Sequence, residues 1–183
     1  MIKLIVFDLV GVLVRENDFE LTSEEQGIER LFGQNGNDAD FLKEARTLIS
    51  NDALLVRTIE YIIDNIYEVR EKNLFRTIKE SYPDMKIVIA TNHVSFVRNF
   101  IGETFGIDYL DDVFISAELN MMKPSSEFYE HILNKFDIDP AEMLFLDDSK
   151  DNIEGATKLN INTTKVEKDT LVLSSVLEFL SNY

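Results

Sequence analysis

The sequence predicts an α/β protein whose parallel sheet carries helices on both faces. Three observations support this. Short, nearly continuous apolar runs recur along the chain: "LIVF" at Leu4–Phe7, "IVIA" at Ile87–Ala90, "VFI" at Val113–Ile115 and "MLFL" at Met143–Leu146. These runs do not alternate with polar residues, which is the pattern of strands buried on both sides. Amphipathic stretches with a helical period separate them, and polar residues able to do chemistry stand where several of them end.

Taken in order, the first run stops at Asp8 and meets Gly11 soon after. Lys3 ahead of an apolar stretch has the outline of a secretion signal, but Asp8 interrupts the run and Arg15, Glu16 and Asp18 follow, so the segment reads as a strand. From Glu24 to about Lys79 no strand-like run is found. Instead "EEQGIERLF", "ADFLKEARTLI" and "ALLVRTIEYIIDNIYEV" carry helical periodicity, separated by the turn-like "GQNGND" and "SND". The expected division is therefore a core built from 1–16 and 80–183, with a helical cap over 17–79.

Past "IVIA" come Thr91 and Asn92. In "SSEFYEHILNKF" the apolar residues Phe128, Tyr129, Ile132, Leu133 and Phe136 share one helical face. "DNIEGATKL" and "TLVLSSVLEFL" predict two more helices, the second capped by Asp169 or Thr170. A fifth, more polar strand is expected over Ile161–Val166. Arg15, Arg46 and Arg57 read as surface ion-pair partners, and Phe41, Tyr61 and Tyr67 as packing residues of a helical bundle.

Composition narrows the function. A chain of 183 residues supports one well-buried core, and 45% hydrophobic with 28% charged content is that of a folded globular protein. With no cysteine there is neither a disulfide framework nor a thiolate metal site, which fits a cytoplasmic location. A formal charge of -16 argues against nucleic acid or an anionic membrane as partner, because the long-range field repels phosphate. An anionic substrate then needs a local cluster of positive groups. No apolar run approaches the ~20 residues of a membrane span.

In an open parallel sheet, ligands bind beyond the carboxyl ends of the strands. The residues at those ends are Asp8, the pair Thr91 and Asn92, and the run Asp147, Asp148 and Ser149, while Lys123 precedes a proline and a helix in "MMKPSSEF". Each alone has a plain reading as a cap or a solvated loop residue. Together they suit phosphoryl transfer. Mg²⁺ prefers oxygen ligands and keeps several waters, so Asp8, Asp148 and one backbone carbonyl make a sufficient protein share. Lys123 and Thr91 can hold the remaining charge of a phosphoryl group.

The four segments "VFDLVGVL", "IVIATN", "MMKP" and "LFLDDSKDNIEGA", spread over almost the whole chain, resemble the motifs of the haloacid dehalogenase superfamily of hydrolases. That resemblance implies a Rossmann-like core of at least five strands, a short helical cap of the first type, and an active site between them. It implies Asp8 as the nucleophile, Thr91 as the phosphate-binding hydroxyl with Asn92 beside it, and Lys123 as the cation joining nucleophile and phosphate. Asp8, the Val10 carbonyl and Asp148 become the Mg²⁺ ligands, with Asp147 and Asn152 supporting them.

Val10 departs from the pattern. The phosphatases of that superfamily carry a second aspartate there, which protonates the leaving oxygen and then activates water; its loss typically costs ~10²–10⁴-fold in rate. The expected function is a Mg²⁺-dependent phosphatase of a small phosphorylated metabolite with a leaving group that needs little proton assistance. A carbon-halogen hydrolase also works without that acid, although the superfamily's dehalogenases lack the metal-binding aspartate that Asp148 matches. A non-catalytic phosphate-ligand or partner-binding protein is the third reading. His93 stands open as a substitute proton donor or as a packing residue at the cap.

Overall fold

The computed structural model describes residues 1–106 and 108–182. In chain order the elements are β1 (Leu4–Phe7), β2 (Val14–Glu16), α1 (Ser23–Glu29), α2 (Asp38–Ala45), α3 (Asp52–Ile66), β3 (Tyr67–Val69), α4 (Leu74–Ser81) and β4 (Lys86–Thr91). There follow α5 (Val97–Phe105), β5 (Asp112–Ile115), α6 (Ser116–Leu119), α7 (Ser126–Phe136), β6 (Met143–Asp147), α8 (Lys150–Thr157), β7 (Asn162–Lys165) and α9 (Val172–Ser181). No helix among the described residues is long and apolar enough to cross a membrane.

Five strands form one parallel sheet in the order β5-β4-β1-β6-β7. The register puts Ile5 beside Ile87 and Leu144, and Phe7 beside Ile89 and Leu146. Because side chains alternate along a strand, the apolar runs feed both faces at once. Ile5, Phe7, Ile87, Ile89, Leu144 and Leu146 face one hydrophobic cluster, whereas Leu4, Val6, Val88, Ala90, Met143 and Phe145 face the other. Helices α7 and α8 cover the second face through Phe128, Tyr129, Ile132 and Ala156. On the first face Val97 and Ile101 of α5 and Val172 and Val176 of α9 join the same cluster as Ile28, Phe41, Leu55 and Ile59 of the inserted helices. The insertion thus shares its apolar packing with the sheet.

Polar residues in the inserted segment set where its helices begin. Thr22 and Glu25 form a reciprocal capping box at α1, while the side chains of Asn37 and Asn51 cap α2 and α3. The turn-like "GQNGND" and "SND" therefore act as helix starts.

Two expectations are corrected. The helical pattern of "ALLVRTIEYIIDNIYEV" stops at Ile66, and Tyr67–Val69 pairs antiparallel with Val14–Glu16, so the segment from Glu24 to Lys79 does contain a strand. Tyr67 and Val69 suit a helix face and a strand equally; the free edge of β2 decides, helped by the Asn17 N–H donating to the Ile66 carbonyl at 2.9 Å. The second correction is the start of α9, which neither Asp169 nor Thr170 caps. The Glu71 carboxylate instead accepts from the backbone N–H groups of Val172 and Leu173.

Candidate active site

β1 lies at the centre of the sheet, and the chain leaves it for β4 and β5 on one side before returning to β6 and β7 on the other. Such a reversal opens a crevice at the carboxyl ends of the central strands. Asp8, Thr91 and Asp147 stand at those ends, and all three are buried.

Lys123 sits at the middle of this group. The residue is only 2% exposed, and its ammonium donates to an Asp8 oxygen and to an Asp147 oxygen, each at 2.7 Å. The Phe145 ring lies beneath it, 5.4 Å from nitrogen to centroid. Asn92 holds the lysine's main chain: its amide donates to the Lys123 carbonyl at 2.8 Å, and its oxygen accepts the Lys123 N–H at 2.9 Å. The Asn92 side chain, expected beside a bound phosphate, is thus engaged with Lys123. The Thr91 hydroxyl makes no hydrogen bond among the described residues.

Asp147 is fully occupied. Besides Lys123 it accepts from the Ser149 N–H at 2.8 Å and from the Asn152 amide at 3.0 and 3.1 Å, and the Asn152 carbonyl accepts from the Tyr129 hydroxyl at 2.8 Å. Asp148 points elsewhere, against Gly11. That glycine has φ +91, so the turn demands glycine, and a Cβ built there would fall 2.3 Å from an Asp148 oxygen and displace that carboxylate.

Oxygen atoms of Asp8, Asp147 and Asp148 lie within 4.8 Å of one another. Burial, the largest effect, pushes the Asp8 carboxyl up to about 7 against the pull of Lys123, and Asp147 adds to the rise. Burial alone would lower the Lys123 ammonium, but the two carboxylates outweigh it and hold it above the ordinary lysine value. Asp148 is raised by burial and then by Asp147. Three clustered carboxylates, two of them sharing one ammonium, leave an excess of negative charge on hard oxygen donors. The donor set fits a divalent cation such as Mg²⁺.

A cavity of about 520 Å³ adjoins Asp148, with Val10, Gly11, Arg15, Arg70 and Val166 in its walls. Arg15 pairs with Glu68, and Arg46 with Asp52. On the opposite side Gly33 of the inserted segment comes so close to β4 that a Cβ on it would lie 2.6 Å from the Asn92 carbonyl oxygen. The Asp38 carboxylate accepts the Ser95 N–H at 3.0 Å. The insertion is therefore seated directly against the strand end that carries Thr91.

His93 packs into that seam. It is 2% exposed, its Nε2 is 2.9 Å from the Tyr67 hydroxyl, and its ring centroid is 4.9 Å from that of Phe32. Burial holds the imidazole down to about 4, with the Val94 carbonyl and then Asp38 opposing weakly. The unfolded chain, with an ordinary value near ~6.5, takes up the proton first, so stability from this residue is intact above ~6.5 and declines as pH falls toward 4. Between pH 7 and pH 5 the loss is about 2 kcal/mol. Urea denaturation at both pH values should show that excess in the wild type over His93→Gln; equal pH dependence in the two proteins would refute it.

Arg70, Glu71 and Tyr67 are neighbours of this region that sequence reasoning did not single out for it. No local signal marks them: their partners, at Gly11, Val172 and His93, are far away in the chain.

Comparison with known proteins gives the chain a family and a fold. A D-ribitol-5-phosphate phosphatase of Bacteroides thetaiotaomicron is 25% identical over 195 residues, covering 91% of this chain and 93% of that protein. The sesquiterpene phosphatase astK of Aspergillus oryzae is 45% identical over 49 residues, which span 27% of this chain and only 25% of that protein. Among solved structures, an aspartate-to-alanine variant of a HAD-family enzyme from Bacteroides thetaiotaomicron, in complex with magnesium and inorganic phosphate, shares the fold. Its TM-score is 0.75 at 21% identity, covering 93% of this chain and 97% of that one. A predicted HAD-like hydrolase from Porphyromonas gingivalis gives 0.74 at 20% identity over 98% of both chains. The sequence model of haloacid dehalogenase-like hydrolases matches residues 2–160, most of the chain, with Asp8, Thr91, Lys123, Asp147 and Asp148 inside the match, and the protein belongs to that family of hydrolases.

Proposed function

We propose that the protein is a Mg²⁺-dependent phosphatase of a small phosphorylated metabolite, working through an aspartyl-phosphate on Asp8. The observation that carries this reading is the convergence of oxygens of Asp8, Asp147 and Asp148, with Asp8 and Asp147 sharing the buried ammonium of Lys123. Relatives named as phosphatases support it. Asp8, the Val10 carbonyl and Asp148 are the residues that would hold Mg²⁺, which when bound neutralises phosphoryl oxygens.

The chain's own groups perform the rest. Lys123 favours the ionised form of Asp8 against its burial and aims it, and that carboxylate attacks phosphorus as the bond to the leaving oxygen breaks. Thr91, whose hydroxyl has no partner among the described residues, donates to a phosphoryl oxygen. Asn92 acts through Lys123 by fixing its main chain, and Asn152 acts through Asp147. Water then attacks phosphorus and restores the free Asp8 carboxylate, releasing inorganic phosphate. Residues 17–79 serve as the cap over this centre, and the cavity beside Asp148 receives the organic part.

Val10 carries no proton, so leaving groups of low basicity are favoured. Acetyl phosphate and sugar 1-phosphates should exceed ordinary alkyl phosphates by ~10²-fold in kcat/KM, and only with Mg²⁺ present. Steady-state assay of such a panel, with and without EDTA, is the test. Val10 also favours a second reading, a carbon-halogen hydrolase. Metal-independent halide release from a 2-haloacid, without phosphate release, would establish that one, and silence on both panels would point to a binding protein.

A further inference from the structure

Arg70 stands where β3 leaves for α4, and it has no carboxylate partner among the described residues. Its guanidinium is spent on main-chain carbonyls. One nitrogen donates to the Gly11 carbonyl, and the other donates to those of Lys168 and Thr170 at 2.8 Å and of Glu167 at 3.2 Å. The Arg70 N–H also donates to the Leu13 carbonyl at 3.0 Å. Beside it, Glu71 grips the first N–H groups of α9. Two adjacent residues thus tie the turn after β1 to the loop after β7.

The turn held in this way is the one beside Asp148. Gly11, with its φ of +91, gives its N–H to Val14 at 2.8 Å and its carbonyl to Arg70, so both of its polar groups are fixed. Val10 is the residue before it, and the Asp148 carboxylate occupies the space that a Cβ on Gly11 would fill. A planar guanidinium can bind several carbonyls at fixed angles, which an ammonium cannot. We infer that Arg70 is a positioning residue for the divalent-cation site, holding the Gly11 turn so that the Val10 carbonyl and the Asp148 carboxylate keep their places.

This inference rests on the metal reading above, and the experiment separates the two. Mn²⁺ binding to the wild type, Arg70→Met, Arg70→Lys and Glu71→Gln is measured by electron paramagnetic resonance of free Mn²⁺, with circular dichroism giving the folded fraction of each. Partners that orient metal ligands typically govern ~10–100-fold in affinity. Arg70→Met should weaken Mn²⁺ binding by at least ~10-fold per folded molecule, and Arg70→Lys should fall between it and the wild type. Glu71→Gln removes charge from the α9 cap without touching Gly11. It should lower the melting temperature and leave Mn²⁺ affinity within about twofold.

Arg70→Met binding Mn²⁺ as the wild type does would overturn the positioning role. So would a loss in Arg70→Met that its unfolded fraction fully accounts for, or an equal loss per folded molecule in Glu71→Gln. A wild type that binds no Mn²⁺ would instead sink the metal reading itself.

Discussion

Asp8→Asn is expected to reduce phosphoester hydrolysis by at least ~10⁴-fold, to the level of a blank, while leaving the protein folded. Asparagine keeps the shape of the side chain but has no carboxylate to attack phosphorus. Burial already holds the Asp8 carboxyl up at about 7, so the fold disfavours its ionised form, and the substitution removes that penalty. Lys123 retains Asp147 at 2.7 Å as partner. Comparison of kcat with melting temperature therefore separates chemistry from folding. A variant within tenfold of the wild type would remove Asp8 from the nucleophile's role, and trapping of labelled phosphate on wild-type protein alone gives an independent reading of the same step.

Lys123→Met should produce the largest loss of stability of any single change at the site, about 3–5 kcal/mol. Methionine fits the volume of the stem over Phe145, but it leaves Asp8 and Asp147 facing each other in a buried space without the cation that both contact. The penalty comes from uncompensated charge, so neutralising a partner should recover part of it. Chemical denaturation of Lys123→Met and of the double variant Lys123→Met with Asp147→Asn tests this. The double variant should be the more stable of the two. If it is the less stable, lost packing outweighs lost pairing, and the electrostatic account of the centre fails.

The strand ends and the contacts between distant stretches differ in the trace they leave in the sequence. Runs such as Leu4–Phe7 and Met143–Leu146 announced central strands because burial on both faces leaves a local trace, an unbroken apolar stretch. Once those runs were placed, Asp8, Thr91, Asp147 and Asp148 had to stand near one edge of the sheet. Strand order alone then brought them together at the reversal around β1. The meeting of these side chains is thus a consequence of pattern and topology.

Contacts between distant stretches left no such trace. Tyr67–Val69 continues a helical pattern and becomes a strand only because β2 offers it an edge. Glu71 caps a helix about a hundred residues further on, and the nearer candidates Asp169 and Thr170 do not. Asn92 turns its side chain to Lys123, His93 turns to Tyr67, and Arg70 spends its charge on four carbonyls. Periodicity encodes which face of an element is buried, since every residue of the element repeats that information. A single polar side chain choosing among several partners is repeated nowhere in the sequence, and packing of the finished chain alone makes the choice.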